Sequence, residues 1–350
     1  MRNEWISFLK SQQANIDEYG HISFASSLDE ARAVNDSSVV ADLSPLGIIR
    51  VSGEDAADFL QGQFSNDIKL LDGLAQLSSY CNPKGRILAS FWIFQNNDSF
   101  YMLLPADTLQ ATIKRLRMFV LMSKVTLEDV SEEYICIGLA GDNSEQVLQQ
   151  QFGASPTEPR ATVHHEQTTV ICLPGKQPRY LVVGTSAEIQ ALWQASTQNC
   201  TAIGYQAWKL LDIEAGLPSV YSENVEAFVP QMLNLHAIDG ISFKKGCYPG
   251  QEIVARMHYL GKLKRRMYRA HIDTKIAPEA GDEVFAVDSG SGQGTGRVVM
   301  ASPTANGGFD VLVVVQVSSA EQNNVHWQSV DGPKLGFIEL PYNVPLERES

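Results

Sequence analysis

Cysteines stand at 81, 136, 172, 200 and 247 of the 350-residue chain. The number is odd and no two form a Cys-x-x-Cys pair, which argues against a disulfide framework and against a self-contained zinc or iron–sulfur site. Cys136 within Tyr134-Ile135-Cys136-Ile137, Cys172 after Val170-Ile171, and Cys81 at the end of an apolar run read as core residues. Cys247 has different neighbours: Lys244-Lys245-Gly246-Cys247-Tyr248-Pro249-Gly250-Gln251-Glu252. Gly246 and Gly250 permit tight turns and close approach of a ligand. From Gln251 the sequence reads as a helix, so Cys247 lies just ahead of a helix N-terminus. That terminus and the neighbouring ammonium groups both favour a thiolate. These residues predict a reactive thiol at Cys247, with Lys245 as its activating cation.

Charge singles out the same region. The net charge is −13, from 27 Lys and Arg against 40 Asp and Glu, so the chain as a whole repels nucleic acid and anionic membrane. Residues 244–269 hold Lys244, Lys245, Arg256, Lys262, Lys264, Arg265, Arg266 and Arg269 against one acid, Glu252. Eight minus one gives +7 for this segment and leaves −20 on the rest. The asymmetry points to an anionic partner, against the plainer reading of a solvated basic face.

Other chemistries find no support. Gly290-Ser291-Gly292-Gln293-Gly294-Thr295-Gly296 fails the dinucleotide fingerprint and precedes no helix, so it reads as a hairpin turn. Gly175-Lys176 and Gly261-Lys262 lack the Walker context, and His164-His165-Glu166 does not extend to a zinc helix. His236 and His258 each lie eleven residues from Cys247, a spacing with no logic for a Cys–His pair. With 44% hydrophobic and 19% charged residues, the composition is globular and excludes wholesale disorder. No apolar stretch approaches the ~18 residues of a membrane span, and the N-terminus has no signal-peptide core. A soluble, cytoplasmic protein without membrane partners is expected.

The elements that must position Cys247 can be read from periodicity. Trp5, Phe8, Leu9 and Ile16 fall near one helical face. Leu46 to Val51 reads as a strand, with Ser52 as the N-cap of a helix from Glu54 to about Gly62. Strands over 75–82 and 86–94 flank the turn Asn82-Pro83-Lys84-Gly85. A strand at 100–104 and a helix over 107–121 follow, then strands near 123–129, 134–140 and 180–184 and helices near 186–197 and 205–215. Strands and helices mix without regular βαβα alternation, which predicts an α+β fold. After Arg269 only short strand-like runs remain, at 283–287, 296–301, 309–317 and 336–339. They predict a small antiparallel β domain, a barrel or sandwich, with no helix.

The segment Lys245 to Glu252 resembles the Lys-Gly-Cys-(aromatic)-x-Gly-Gln-Glu motif of the YgfZ branch of the folate-dependent, GcvT-like aminomethyltransferase superfamily, and the match continues through Ala255-Arg256. Gly53-Glu54-Asp55-Ala56-Ala57-Asp58-Phe59-Leu60, running on to Asn66-Asp67, is similar to that family's N-terminal signature, and Glu214-Ala215-Gly216 to its central motif. The likeness spans roughly residues 40–345. It implies a cloverleaf of three subdomains around a central channel, with a folate-binding region of two interleaved α+β subdomains over 1–268 and a β-barrel over 269–350. It implies non-covalent tetrahydrofolate, held by Trp208, Glu214 and Arg256. A carboxylate such as Glu214 can accept both donors of a pterin edge, Trp208 can stack on a ring, and basic residues can meet the glutamyl carboxylates. The motif residues Gly246, Tyr248, Gly250, Gln251 and Glu252 would frame Cys247, with Cys247 and Lys245 as the reactive pair.

Two departures bear on activity. Aminomethyltransferases carry an Asp-Asp pair on the strand after the Asn-Pro-x-Gly turn, whereas here that strand reads Arg86-Ile87-Leu88-Ala89-Ser90-Phe91. A general acid at that place is missing. Leu46 stands where a YgfZ protein can carry a second folate-contacting tryptophan. The resemblance therefore implies a folate-binding accessory protein for iron–sulfur enzyme maintenance and tRNA modification, with iron–sulfur or tRNA-modifying enzymes as partners. No metal would be bound by one chain alone, because a cluster needs about four ligands. The alternative is a true folate-dependent aminomethyl transferase. A third reading, direct tRNA binding through 244–269, requires a steep loss of affinity with salt, and the −20 on the rest of the chain disfavours it.

Overall fold

The computed structural model describes residues 2–261, 263–286 and 294–344. Lys262 and most of the glycine-rich run, residues 287–293, lie outside the described residues. The chain divides into two compact units, each assembled from separate stretches. The first comprises Met1–Ala56, Leu70–Gln76 and Trp92–Leu211; the second comprises Ala57–Lys69, Leu77–Phe91 and Asp212–Ser350.

The first unit is built on a six-stranded sheet in the order Thr162–His165, Thr168–Cys172, Arg179–Thr185, Tyr134–Ala140, Val39–Asp42 and Thr201–Ile203. Its pairings are antiparallel except the last, Val39–Asp42 with Thr201–Ile203. Side chains of successive residues enter two different cores. Cys136, Ala140, Leu181 and Val183 join Trp208, Phe94 and Tyr101 on one face. Ile135, Ile137, Leu139 and Val182 join Trp5, Trp193 and Leu192 on the other. A sheet covered on both faces explains why its strands are almost continuously apolar rather than alternating. A second sheet in this unit pairs Leu46–Ser52 with Ser99–Pro105 and with Thr126–Asp129.

The second unit contains a six-stranded antiparallel sheet, ordered Val325–Trp327, Glu283–Ala286, Gly296–Pro303, Phe309–Gln316, Arg265–Ile272 and Leu335–Ile338. Alternate residues of its central strands, among them Ala270, Ile272, Val311, Val313 and Val315, form one core with Trp327 and Leu335. The opposite face carries Arg265, Met267, Arg269 and His271 from one strand, because side chains alternate along it. Among the described residues no helix is long and apolar enough to cross a membrane.

Three local expectations are corrected. The first helix is Arg2–Ser11, and Ile16 instead pairs with Ile22 in a two-stranded ladder. Ser52 ends a strand rather than capping a helix. Gly53 takes φ +116 and Asp55 accepts from the Lys124 backbone N–H at 2.7 Å, so residues 53–55 form a turn and the helix starts at Ala56. A short helix, Val317–Glu321, interrupts the C-terminal strands.

Gly138 is required by packing: a Cβ there would sit 2.5 Å from the Trp208 ring. Gly138→Ala is expected to destabilise by about 1–3 kcal/mol through overpacking, read as a lower urea midpoint.

Candidate functional site

Cys247 is exposed, and the other four cysteines are buried. Burial pushes the Cys81 thiol up to about 12 and Cys200 to about 11. It raises Cys136 and Cys172 as well. Thiolate chemistry is therefore confined to Cys247 by accessibility.

The loop bearing Cys247 is fastened on both sides. Upstream, Ser65 Oγ donates to Gly240 O at 3.1 Å, and Asn66 Nδ2 donates to Leu77 O at 2.9 Å and Asp239 O at 2.6 Å. Lys245 then turns inward. The residue is 8% exposed, and its ammonium donates to Gln61 O at 2.6 Å and to Phe64 O. Gln61 ends the Ala56–Gln61 helix, so Lys245 satisfies one carbonyl at the helix's unpaired, negative end and a second, Phe64 O, in the turn that follows. The Tyr248 ring lies 5.1 Å from the Lys245 ammonium. Downstream, Gly250 takes φ +82 at the N-cap of the Gln251–Leu260 helix. A Cβ on it would lie 2.4 Å from Asn82 O and 2.7 Å from Gly85. The glycine is demanded twice, by its left-handed backbone and by the interlock with the Asn82–Gly85 turn.

The motif residues thus have separate uses. Gly246 lies in open space, and Gln251 Nε2 donates to Gly246 O at 3.3 Å. Tyr248 is buried. Glu252 is exposed in the first turn of the helix, which favours an acid there. Lys245 is buried with its ammonium on the Gln61 and Phe64 carbonyls, while Cys247, two residues on, is exposed. His258 stacks on Phe243, with ring centroids 3.7 Å apart. Burial, then the nearby His258, draws His236 down to about 4, so it is neutral at pH 7.

Of the residues expected to hold folate, Trp208 belongs to the first unit and Glu214 and Arg256 to the second. Trp208 is 1% exposed in the core of the first unit. Gly138 closes on its ring and the Arg179 guanidinium lies 5.2 Å from the ring centroid. Trp208 is thus packed as a core residue of the first unit. Arg256 is exposed on its helix, and no described contact joins it to Glu214. Glu214 fits better. Its side chain is 25% exposed, and Oε1 lies 3.4 Å from Arg269 Nη2. Arg269 is anchored more firmly by Asp310 Oδ2, at 3.1 Å from Nε and 2.6 Å from Nη2. Asp310 Oδ1 meets His271 Nδ1 at 2.9 Å. Asp310 is an acid in the otherwise apolar strand Phe309–Gln316. That oddity is the one sequence signal for this cluster, and the strand register opposing His271 to Asp310 is what assembles it. Among the described residues no group of three or more His, Cys, Asp and Glu is arranged to hold a metal ion.

Comparison with known proteins places the fold. Residues 7–172 match the GCVT N-terminal domain. The structure of glycine cleavage system aminomethyltransferase T from Bartonella henselae superposes with a TM-score of 0.74 at 16% identity, covering 96% of each chain. The protein therefore has the α+β fold of that aminomethyltransferase, its antiparallel C-terminal sheet included. The tRNA-modifying protein YgfZ of Colwellia psychrerythraea is 32% identical over 307 residues, covering 87% of this chain and 94% of that one. The protein of the same name from Photorhabdus laumondii is 32% identical over 311 residues, covering 87% and 93%. The chain belongs to the YgfZ family.

Alkylation of the native protein by iodoacetamide is expected to modify one thiol, and Cys247→Ser to abolish the labelling, as mass spectrometry would show. Lys245 gives a second prediction. Burial lowers its pKa from 10.5 to about 8. Between those values the unfolded chain holds a proton that the folded chain has released, so stability rises with pH through that window. Urea unfolding is expected to show wild-type stability, relative to Lys245→Met, increasing by about 3 kcal/mol from pH 8 to pH 10.5. A flat difference would show that the buried group does not titrate as stated.

Proposed function

We propose that the protein is a folate-binding accessory factor in tRNA modification that supports iron–sulfur enzymes, with Cys247 as its functional thiol. Family membership supports the tRNA-modification role, since the relatives are named tRNA-modifying proteins. The observation that carries the thiol is that four of five cysteines are buried and the fifth is exposed on a loop fastened at Ser65, Asn66, Lys245 and Gly250. Holding a thiol at a fixed exposed place suits a group that must meet a partner's sulfur or cluster species. One thiolate supplies one ligand of about four, so the rest come from the partner.

For tetrahydrofolate, Glu214 is the residue that fits. Its partly exposed carboxylate, steadied by Arg269, accepts the paired N–H donors of a pterin edge. Bound folate supplies a one-carbon carrier; this chain orients it and offers no nearby acid on the strand Arg86–Phe91, which lacks Asp and Glu. That absence opposes aminomethyl transfer as the activity. Turnover of an aminomethyl-lipoyl carrier with tetrahydrofolate would reverse the ranking.

Titration of tetrahydrofolate followed by tryptophan fluorescence is expected to show binding by the wild type and by Cys247→Ala, and at least about tenfold weaker binding by Glu214→Gln. In cells deprived of their own YgfZ, wild type should restore tRNA modification and Cys247→Ser should not. Absence of wild-type binding would remove folate from the assignment, and full rescue by Cys247→Ser would remove the thiol.

A further inference from the structure

Within the second unit a half-open cavity of about 230 Å³ is lined by Arg86, Arg265, Arg297 and Glu283, with Phe228 and Met232 among its apolar walls. The three arginines come from distant parts of the sequence. Arg86 follows the Asn82–Gly85 turn, Arg265 opens the first strand of the C-terminal sheet, and Arg297 lies in its Gly296–Pro303 strand. Strand alternation puts Arg265 and Arg297 on one face: Arg265 is two residues from Met267, which opposes Val314, which in turn opposes Arg297. Glu283 is directly opposite Arg297. Arg86 Nη1 donates to Ala227 O at 2.7 Å, which orients its guanidinium. Among the described residues, neither Arg265 nor Arg297 forms an ion pair, and Glu283 pairs with neither.

Three arginines and one acid line this one small cavity, in a chain of net charge −13. We propose that this cavity is a binding site for a sugar phosphate. Three cations against one acid leave a formal +2, which matches the near-dianionic charge of a phosphate monoester at neutral pH better than the single charge of a diester. Guanidinium forks suit phosphate oxygens bidentately. Glu283 accepts from sugar hydroxyls, and Phe228 and Met232 pack against the carbon skeleton. The volume admits a phosphorylated pentose. The ligand is either a free sugar phosphate or the terminal phosphoribosyl group of a nucleotide. The site involves neither Cys247 nor Glu214 and stands independently of the folate assignment.

Isothermal titration of the full-length protein with ribose 5-phosphate, AMP and tri-γ-glutamate tests this. Saturable binding of ribose 5-phosphate is expected, weakened at least about tenfold in Arg265→Gln/Arg297→Gln with an unchanged far-ultraviolet spectrum. Comparable or tighter binding of AMP identifies a nucleotide terminus as the source, and failure of AMP with retention of ribose 5-phosphate identifies the free sugar. Glu283→Gln, which removes the one acid and keeps every arginine, should tighten inorganic phosphate several-fold and guards against a misfolded double variant. Tighter binding of tri-γ-glutamate than of ribose 5-phosphate would overturn the proposal in favour of a polycarboxylate site. Absence of phosphate binding, or indifference to the arginine substitutions, would overturn it outright.

Discussion

An ammonium group removed from water must find partners or lose its proton, and Lys245 finds the carbonyl oxygens of Gln61, at the end of a short helix, and of Phe64, three residues further on. The Gln61 carbonyl needs a donor because the helix has no further turn to supply one. The two deficits cancel, and the geometry that cancels them decides where the next residues go. With Lys245 directed inward and Tyr248 buried beneath it, Gly246 and Cys247 between them are left on the outside. The exposed thiol is thus a consequence of the buried cation. The hydrogen bonds of Ser65 and Asn66 and the close approach of Gly250 to the Asn82–Gly85 turn hold both ends of the same loop.

The rest of the basic segment is used piecemeal. Arg269 is nearly buried against Asp310 and reaches Glu214. Arg266 lies over Tyr268 and donates to Val344 O. Arg265, one residue away on a strand, faces the opposite side and enters the arginine-lined cavity. Period-two alternation therefore distributes neighbouring charges among unrelated tasks. A solvated basic face and a single anionic surface are both too simple for this segment. Among the described residues of the segment, Lys244, Arg256, Lys264 and Arg265 are exposed, and Lys245, Arg266 and Arg269 are not.

Much of the fold could be read from the chain because its signals are local. The turn at Asn82-Pro83-Lys84-Gly85 and the helices Ala106–Val120, Ser186–Ser196 and Tyr205–Ala215 follow from turn chemistry and 3.6-residue periodicity. Local signals misled at Ser52, whose capping chemistry was outweighed by the ladder that carries Leu46–Ser52 to its end. They misled again at Ile16, whose apolar side chain suits a helix face and a strand equally well.

The site divides in the same manner. Residue types and spacing alone distinguished Cys247 from the other cysteines, placed glycines where the backbone must turn, and marked the missing acids on the strand after the Asn-Pro-Lys-Gly turn. These are matters of local chemistry. The direction of a side chain is not local. That Lys245 reaches the carbonyls of Gln61 and Phe64, that Trp208 packs against Gly138 and Arg179, and that Arg86, Arg265 and Arg297 line one cavity depend on packing between distant segments. Burial energy and strand register choose the partner there, and both depend on residues far away in the chain.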